Sequence, residues 1–165
     1  MPLKVGNRWS YQADSMFVDS TTELRVIRET GVAGATGYVL TGPTGEVRMA
    51  WKGDVLLLER TSNMMFDPPL PILVANSNSR VERKTNVKCQ GFWGTLQGTA
   101  ELDQVPWKET IGGQKISVVK SEVVILGAGQ RLRLVTTFQP GAGILTQRQW
   151  VNGKQVLSLE RIGGS

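Results

Sequence analysis

Histidine is absent from the chain of 165 residues, and cysteine occurs once, at Cys89. The commonest general base and the commonest transition-metal ligand are therefore both missing. Ser-His-Asp and Cys-His mechanisms are excluded, as is any His-containing zinc site. A single thiol can make neither a Cys-rich zinc site nor an intrachain disulfide. With no imidazole to activate it, Cys89 is expected to be a buried or semi-buried structural thiol. No apolar run approaches the ~20 residues that a membrane-spanning helix needs. The opening MPLKVGNRW has no apolar h-region, so any leader is expected to be absent from this chain. No helical stripe at i, i+3, i+4, i+7 persists beyond two turns. Gly127, Ala128 and Gly129 have no Walker lysine after them, and Asp14, Asp19 and Glu23 lack the spacing of a calcium loop. No acid, base and nucleophile can be assembled, so no enzyme, cofactor or metal is expected.

What the chain does have is a series of short alternating runs separated by glycine-rich turns. Trp9 and Tyr11 alternate with Arg8, Ser10 and Gln12. Leu24 and Val26 face in, and Ile27 breaks their pattern, marking a bulge or a second buried face. Pro43 followed by Gly45 makes a strong turn signal. Residues 55–60 are nearly all apolar, as in a strand covered on both sides. Residues 99–107 read as a strand ending at Pro106. Leu132, Leu134, Thr136 and Phe138 share one face. At the end of the chain, Asn152-Gly153 tolerates the positive φ of a tight hairpin turn. Direct pairing across it places Ile144, Thr146, Arg148 and Trp150 opposite Arg161, Leu159, Leu157 and Gln155. That face is expected to be the core side. The spacing predicts an all-β single domain over residues 1–165. Its sheet is a strongly curved antiparallel meander, a half-barrel or open barrel of roughly ten strands.

Residues 62–79 stand apart. MMFDPPLPILVA is apolar, yet Pro68, Pro69 and Pro71 oppose regular ladder bonding. The segment is expected to be a Pro-rich loop covering the concave side of the sheet, as a mobile flap or a fixed plug. Its apolar side chains, Met64, Met65, Phe66, Leu70 and Leu73, are the candidate ligand-binding residues. Trp93, in a Gly-rich turn, and Arg148, a possible anchor for an anionic group at the rim, complete that set.

The net charge is +5. A basic balance raises nucleic acid as a partner, but the cations alternate with apolar residues rather than forming a block. In the densest cluster, Arg80, Lys84 and Lys88 share a strand face with Glu82 and Asn86. A solvated face is expected there, and nucleic-acid binding is not.

The opening PLKVGNRWSY resembles the start of a group of bacterial secreted and lipoprotein-type β domains. PGAGILTQRQW, at residues 140–150, resembles their C-terminal segment, and the Pro-rich loop, Gly-Trp segment and IGGQKISVVKSE follow in similar order. The match departs at Phe92-Trp93-Gly94. The resemblance implies a half-barrel of the lipoprotein-carrier type in an extracytoplasmic location, the periplasm, outer surface or secreted fraction. It implies no catalytic residues. The expected function is a non-enzymatic cell-envelope domain, not membrane-spanning. It binds a lipid or other apolar or amphipathic ligand in the concave face, or else acts as a protein-protein interaction module of the envelope.

Overall fold

The structure is a computed structural model, and it describes residues 3–15, 19–42, 45–91, 94–111 and 113–164. Twelve antiparallel strands follow one another among these residues. They are β1 (Arg8–Ser15), β2 (Asp19–Val32), β3 (Ala35–Gly42), β4 (Gly45–Lys52), β5 (Val55–Arg60), β6 (Met64–Val74), β7 (Val81–Gly91), β8 (Gly94–Ile111), β9 (Gln114–Gly127), β10 (Gln130–Gln139), β11 (Gly143–Val151) and β12 (Lys154–Gly164). Each pairs with its neighbour in the chain, and β1 also pairs with β12, from Trp9↔Gly164 to Ser15↔Leu157. The sheet is thus a closed barrel rather than the expected half-barrel or open barrel. Closure removes the two sheet edges that a meander would otherwise expose.

Alternation decides which side chains face in. Trp9, Tyr11, Leu24, Val26, Leu132, Leu134 and Phe138 all belong to the core, as their spacing predicts. Ile27 is skipped in the β2–β3 register and is left exposed. Leu56, Leu57 and Leu58 are all buried, because Leu57 packs with Val32 and Ala50 in a second cluster. Two expectations fail on register. Pro106 does not end β8, which pairs with β9 through Pro106↔Val119 as far as Ile111↔Gln114. In the last hairpin the turn is as read, with Asn152 at φ 50° and Gly153 at φ 82°. However, the pairing shifts between Trp150↔Gln155 and Gln149↔Leu157, so Val156 is an extra residue. That bulge turns over the β11 half of the predicted core face, whereas Leu157 and Leu159 of β12, with Ile144, belong to the core as read. Gln147 and Gln149 face inward with Leu157 and Leu159, and Arg148 points out to solvent.

The Pro-rich segment is not a loop over the sheet. It is β6, a strand of the wall. Its first part pairs with β7, from Met64↔Gly91 to Asp67↔Lys88, and the pairing stops where the prolines begin. Proline has no N–H to give a ladder, so β6 parts from β7 at that point. The other edge of β6 stays on β5, with register irregularities at Leu57↔Pro71 and near Arg60. Beyond the prolines, β6 packs onto β8 and β9. Gln104 donates from Nε2 to the Val74 carbonyl at 2.7 Å and accepts from the Val74 N–H at 2.8 Å. The Ser121 hydroxyl donates to the Ile72 carbonyl. Gln104 and Ser121 are register partners that share a face with Leu102 and Val123 of the core. Two inward side chains therefore satisfy the backbone that β7 leaves unpaired. A round twelve-stranded barrel is wide enough to enclose a lumen. Here the inward lean of β6 brings Leu70, Ile72, Leu73 and Val74 into the core and fills that space.

Candidate functional site

The expected site residues separate in the structure. Met64, Phe66, Leu70 and Leu73 are buried at 3% exposure or less and form part of the solid core. They cannot act as a flap or a loose plug, because they sit in a hydrogen-bonded wall strand. Met65 points outward and is 46% exposed. Trp93 lies outside the described residues. Arg148 is exposed on the outer flank of β11, and it makes no ion pair with a described residue.

Arg148 does line a large depression, a groove of about 810 Å³ on the flank of β8–β12. The floor follows a register row, Lys120↔Thr137↔Thr146↔Glu160, on the outer side of the sheet. Thr137 is buried although it faces out, because the groove is recessed there. A second bulge causes the recess. Thr137 pairs with Thr146 but Phe138 pairs with Ile144, so Leu145 is pushed out of the ladder and into the groove wall. Arg161 closes one end, donating from its guanidinium to the Ala142 carbonyl at 2.8 Å. At the other side, Lys120 pairs with Glu109 at 3.0 Å and lies 4.7 Å from the centre of the half-exposed Trp107 ring. Ile162, 59% exposed, gives the lining an apolar end. The groove thus offers the Arg148 guanidinium, which pairs with no described residue, together with hydroxyls and aliphatic surface. That mixture suits an amphipathic partner held by contact.

A second depression of about 310 Å³ lies over Glu122, Arg133 and Trp150. Two of its charges, Glu122 and Arg133, already satisfy each other. Arg133 makes a two-pronged bond to Glu122 at 2.8 and 3.0 Å and stacks over Trp150 at 4.7 Å. The hydrogen bonds from Arg133 hold the Glu122 carboxyl below its ordinary range, in spite of its partial burial. This cluster ties β9, β10 and β11 together.

Two groups titrate far from their usual values, and both move away from neutrality. Burial pushes the Cys89 thiol up to about 12, which keeps it protonated and unreactive. Burial likewise raises the Tyr11 phenol to about 12, against the opposing charge of Arg161, and its hydroxyl donates to the Ile144 carbonyl at 3.0 Å. Among the described residues, no three carboxylates and thiols converge on a point that could hold a metal ion. Among the described residues, no helix is long and apolar enough to cross a membrane.

The signals missed in the sequence were the two bulges. Neither the doubled residue at Leu145 nor that at Val156 breaks the composition of its strand. Together they fix which side of β10–β12 is outside, and hence where the groove lies.

No protein-family model matches the chain, and no curated protein matches it by sequence. A crystal structure of a presumed lipoprotein from Parabacteroides distasonis matches over 100% of this chain and 97% of its own, with a TM-score of 0.50 and 12% identity. At that identity the likeness extends to the all-β fold and no further.

Proposed function

We propose that this chain is a non-enzymatic domain of the cell envelope that works by holding a partner protein on the flank of its barrel. The observation that carries the reading is where the space lies. The interior is occupied by its own side chains, from Trp9 to Phe138, whereas the groove beside Arg148 is open and about 810 Å³ in volume. Binding in the concave face would require the core to be displaced. Binding in the groove requires nothing to move. The groove's exposed Arg148 and Ile162 and the bulged Leu145 supply a charge and an apolar anchor, the composition of a protein-contact surface. The polarity of the barrel also favours a water-bathed location. Apolar residues fill the inside and charges cover the outside, the reverse of a barrel that faces lipid. The fold shared with a presumed lipoprotein supports an extracytoplasmic site.

The test is a photoreactive residue placed at Ile162 or Leu145, with Arg28 of β2 as the remote control. Irradiation of intact envelopes should give an adduct to one protein from the groove positions and none from Arg28. Equal labelling from all three sites, or none, would overturn the reading. Native mass spectrometry of the 18.1 kDa chain provides the competing outcome. A retained lipid mass that survives Arg148→Glu would place a ligand elsewhere.

A further inference from the structure

The parting of β6 from β7 leaves a length of sheet edge that closure elsewhere removes. β7 pairs with β8 along its whole length, from Val81↔Gln104 to Gly91↔Gly94. On its other side it meets β6 only from Lys88 to Gly91. The backbone of residues 81–87 therefore has ladder partners on one side only. It is not covered from above, since Glu82, Arg83, Lys84 and Asn86 are exposed. The prolines of β6 cannot close the gap, because they have no N–H to offer.

Between the strands runs a narrow slot. Leu70 and Pro71 form one wall, Arg83, Lys84 and Thr85 the other, and Ala100, Leu102 and Val123 lie beneath. Its free space is only about 10 Å³, enough for a methyl-sized group. A strand laid along β7 would point alternate side chains down at this apolar floor, and the intervening ones up beside Lys84 and Lys88. Residues 80–88 carry Arg80, Arg83, Lys84 and Lys88 against the single carboxylate Glu82. Arg80 is engaged by Asp103 at 2.7 Å and Lys84 by Glu101 at 2.8 Å. Arg83 and Lys88 form no ion pair with a described residue.

We infer that the free edge of β7 is a β-addition site for an extended acidic segment of a partner protein, in which small apolar residues alternate with carboxylates. The backbone of the segment completes the ladder that β6 abandons. Its carboxylates lie beside Lys84 and Lys88, and its small side chains face the slot. An ordinary exposed edge is protected against chance pairing by its lysines. The cations of this stretch, Lys88 and Arg83 foremost because Lys84 is shared with Glu101, repel a basic strand and attract an acidic one, so they select rather than merely block. The inference does not depend on the groove beside Arg148, which shares no lining residue with the slot.

The probe is a short synthetic peptide alternating glutamate and alanine, added to the intact chain, with amide hydrogen exchange and fluorescence anisotropy as the readouts. Exchange of those amides of residues 81–87 that point away from β8 should slow by about tenfold or more while the rest of the barrel is unchanged. Replacing Lys84 and Lys88 together by Gln should weaken binding by about tenfold, with unfolding unaltered because both side chains are exposed. Methylating alternate backbone nitrogens of the peptide on its bonding edge should abolish the effect, and methylating the other edge should not. Equal binding of a lysine-alanine peptide would overturn the inference. So would protection that persists with the bonding edge methylated. Edge amides already protected without peptide, and released on dilution, would assign the edge to a second copy of this chain instead.

Discussion

At the residue scale, Gly98 and Gly127 have the least room for a side chain among the described glycines. A Cβ on Gly98 would lie 1.9 Å from the carbonyl oxygen of Leu126, and one on Gly127 would lie 2.1 Å from that of Gln97. Neither has a positive φ, so the demand is for space and not for conformation. The obstructing atoms are backbone, which cannot swing aside as a side chain would. Gly98→Ala is expected to destabilise the protein by about 3 kcal/mol, as forced overpacking does. Urea unfolding should show a lower midpoint at unchanged slope, while Thr99→Ala next to it should be close to neutral. In the sequence Gly98 reads as a turn residue, because glycine is commonest there. Only the crossing of β8 and β9 gives it this other role. Cys89 went the other way: the lack of any histidine pointed to a buried or semi-buried structural thiol, and the structure buries it completely.

At the scale of the element, β6 departs furthest from its local sequence. Three prolines in eleven residues argue against a strand. The strand persists because β5 pairs with one edge and because Gln104 and Ser121 substitute for a partner on the other. Gln104→Leu keeps the volume but strips both hydrogen bonds from Val74. An unpaired buried N–H or C=O costs about 1–3 kcal/mol, so a loss of roughly 3 kcal/mol is expected. Amide exchange at Val74 should accelerate selectively, ahead of the strands around it. If Val74 stayed as protected as Val123, Gln104 would not be what holds this half of β6. The apolar character of the segment did announce that it covers something. Its partners, though, are thirty and forty-nine residues further along the chain, and no local pattern points to them. The last hairpin shows the same division: Asn152-Gly153 was legible as a turn, whereas the bulge at Val156 that exposes Arg148 was not.

For the molecule as a whole, the absence of histidine sets the pH response. No imidazole changes charge between about pH 5 and 8, so stability should be level across that range. The alkaline limb belongs to Tyr11 and Cys89. Their ordinary values are 10.0 and 9.0, and burial raises both to about 12. Between those limits the unfolded chain releases protons that the folded one retains. Stability is therefore full below about pH 9 and falls as pH rises toward 12. Urea midpoints measured across this span should decline, and the double substitution of Cys89→Val and Tyr11→Phe should flatten the decline. On the acid side, Glu122 is held low by Arg133, so its contribution is present above the ordinary 4.5 and is lost as pH falls below it. The sequence by itself determined the all-β class, the order of strands and the face of most of them. Each of these follows from alternation and turn chemistry within a few residues. Closure into a barrel, the inward lean of β6, the open edge of β7 and the groove beside Arg148 were decided only by the tertiary structure. They depend on register between strands distant in sequence, and a single bulged residue, invisible in composition, is enough to exchange inside for outside.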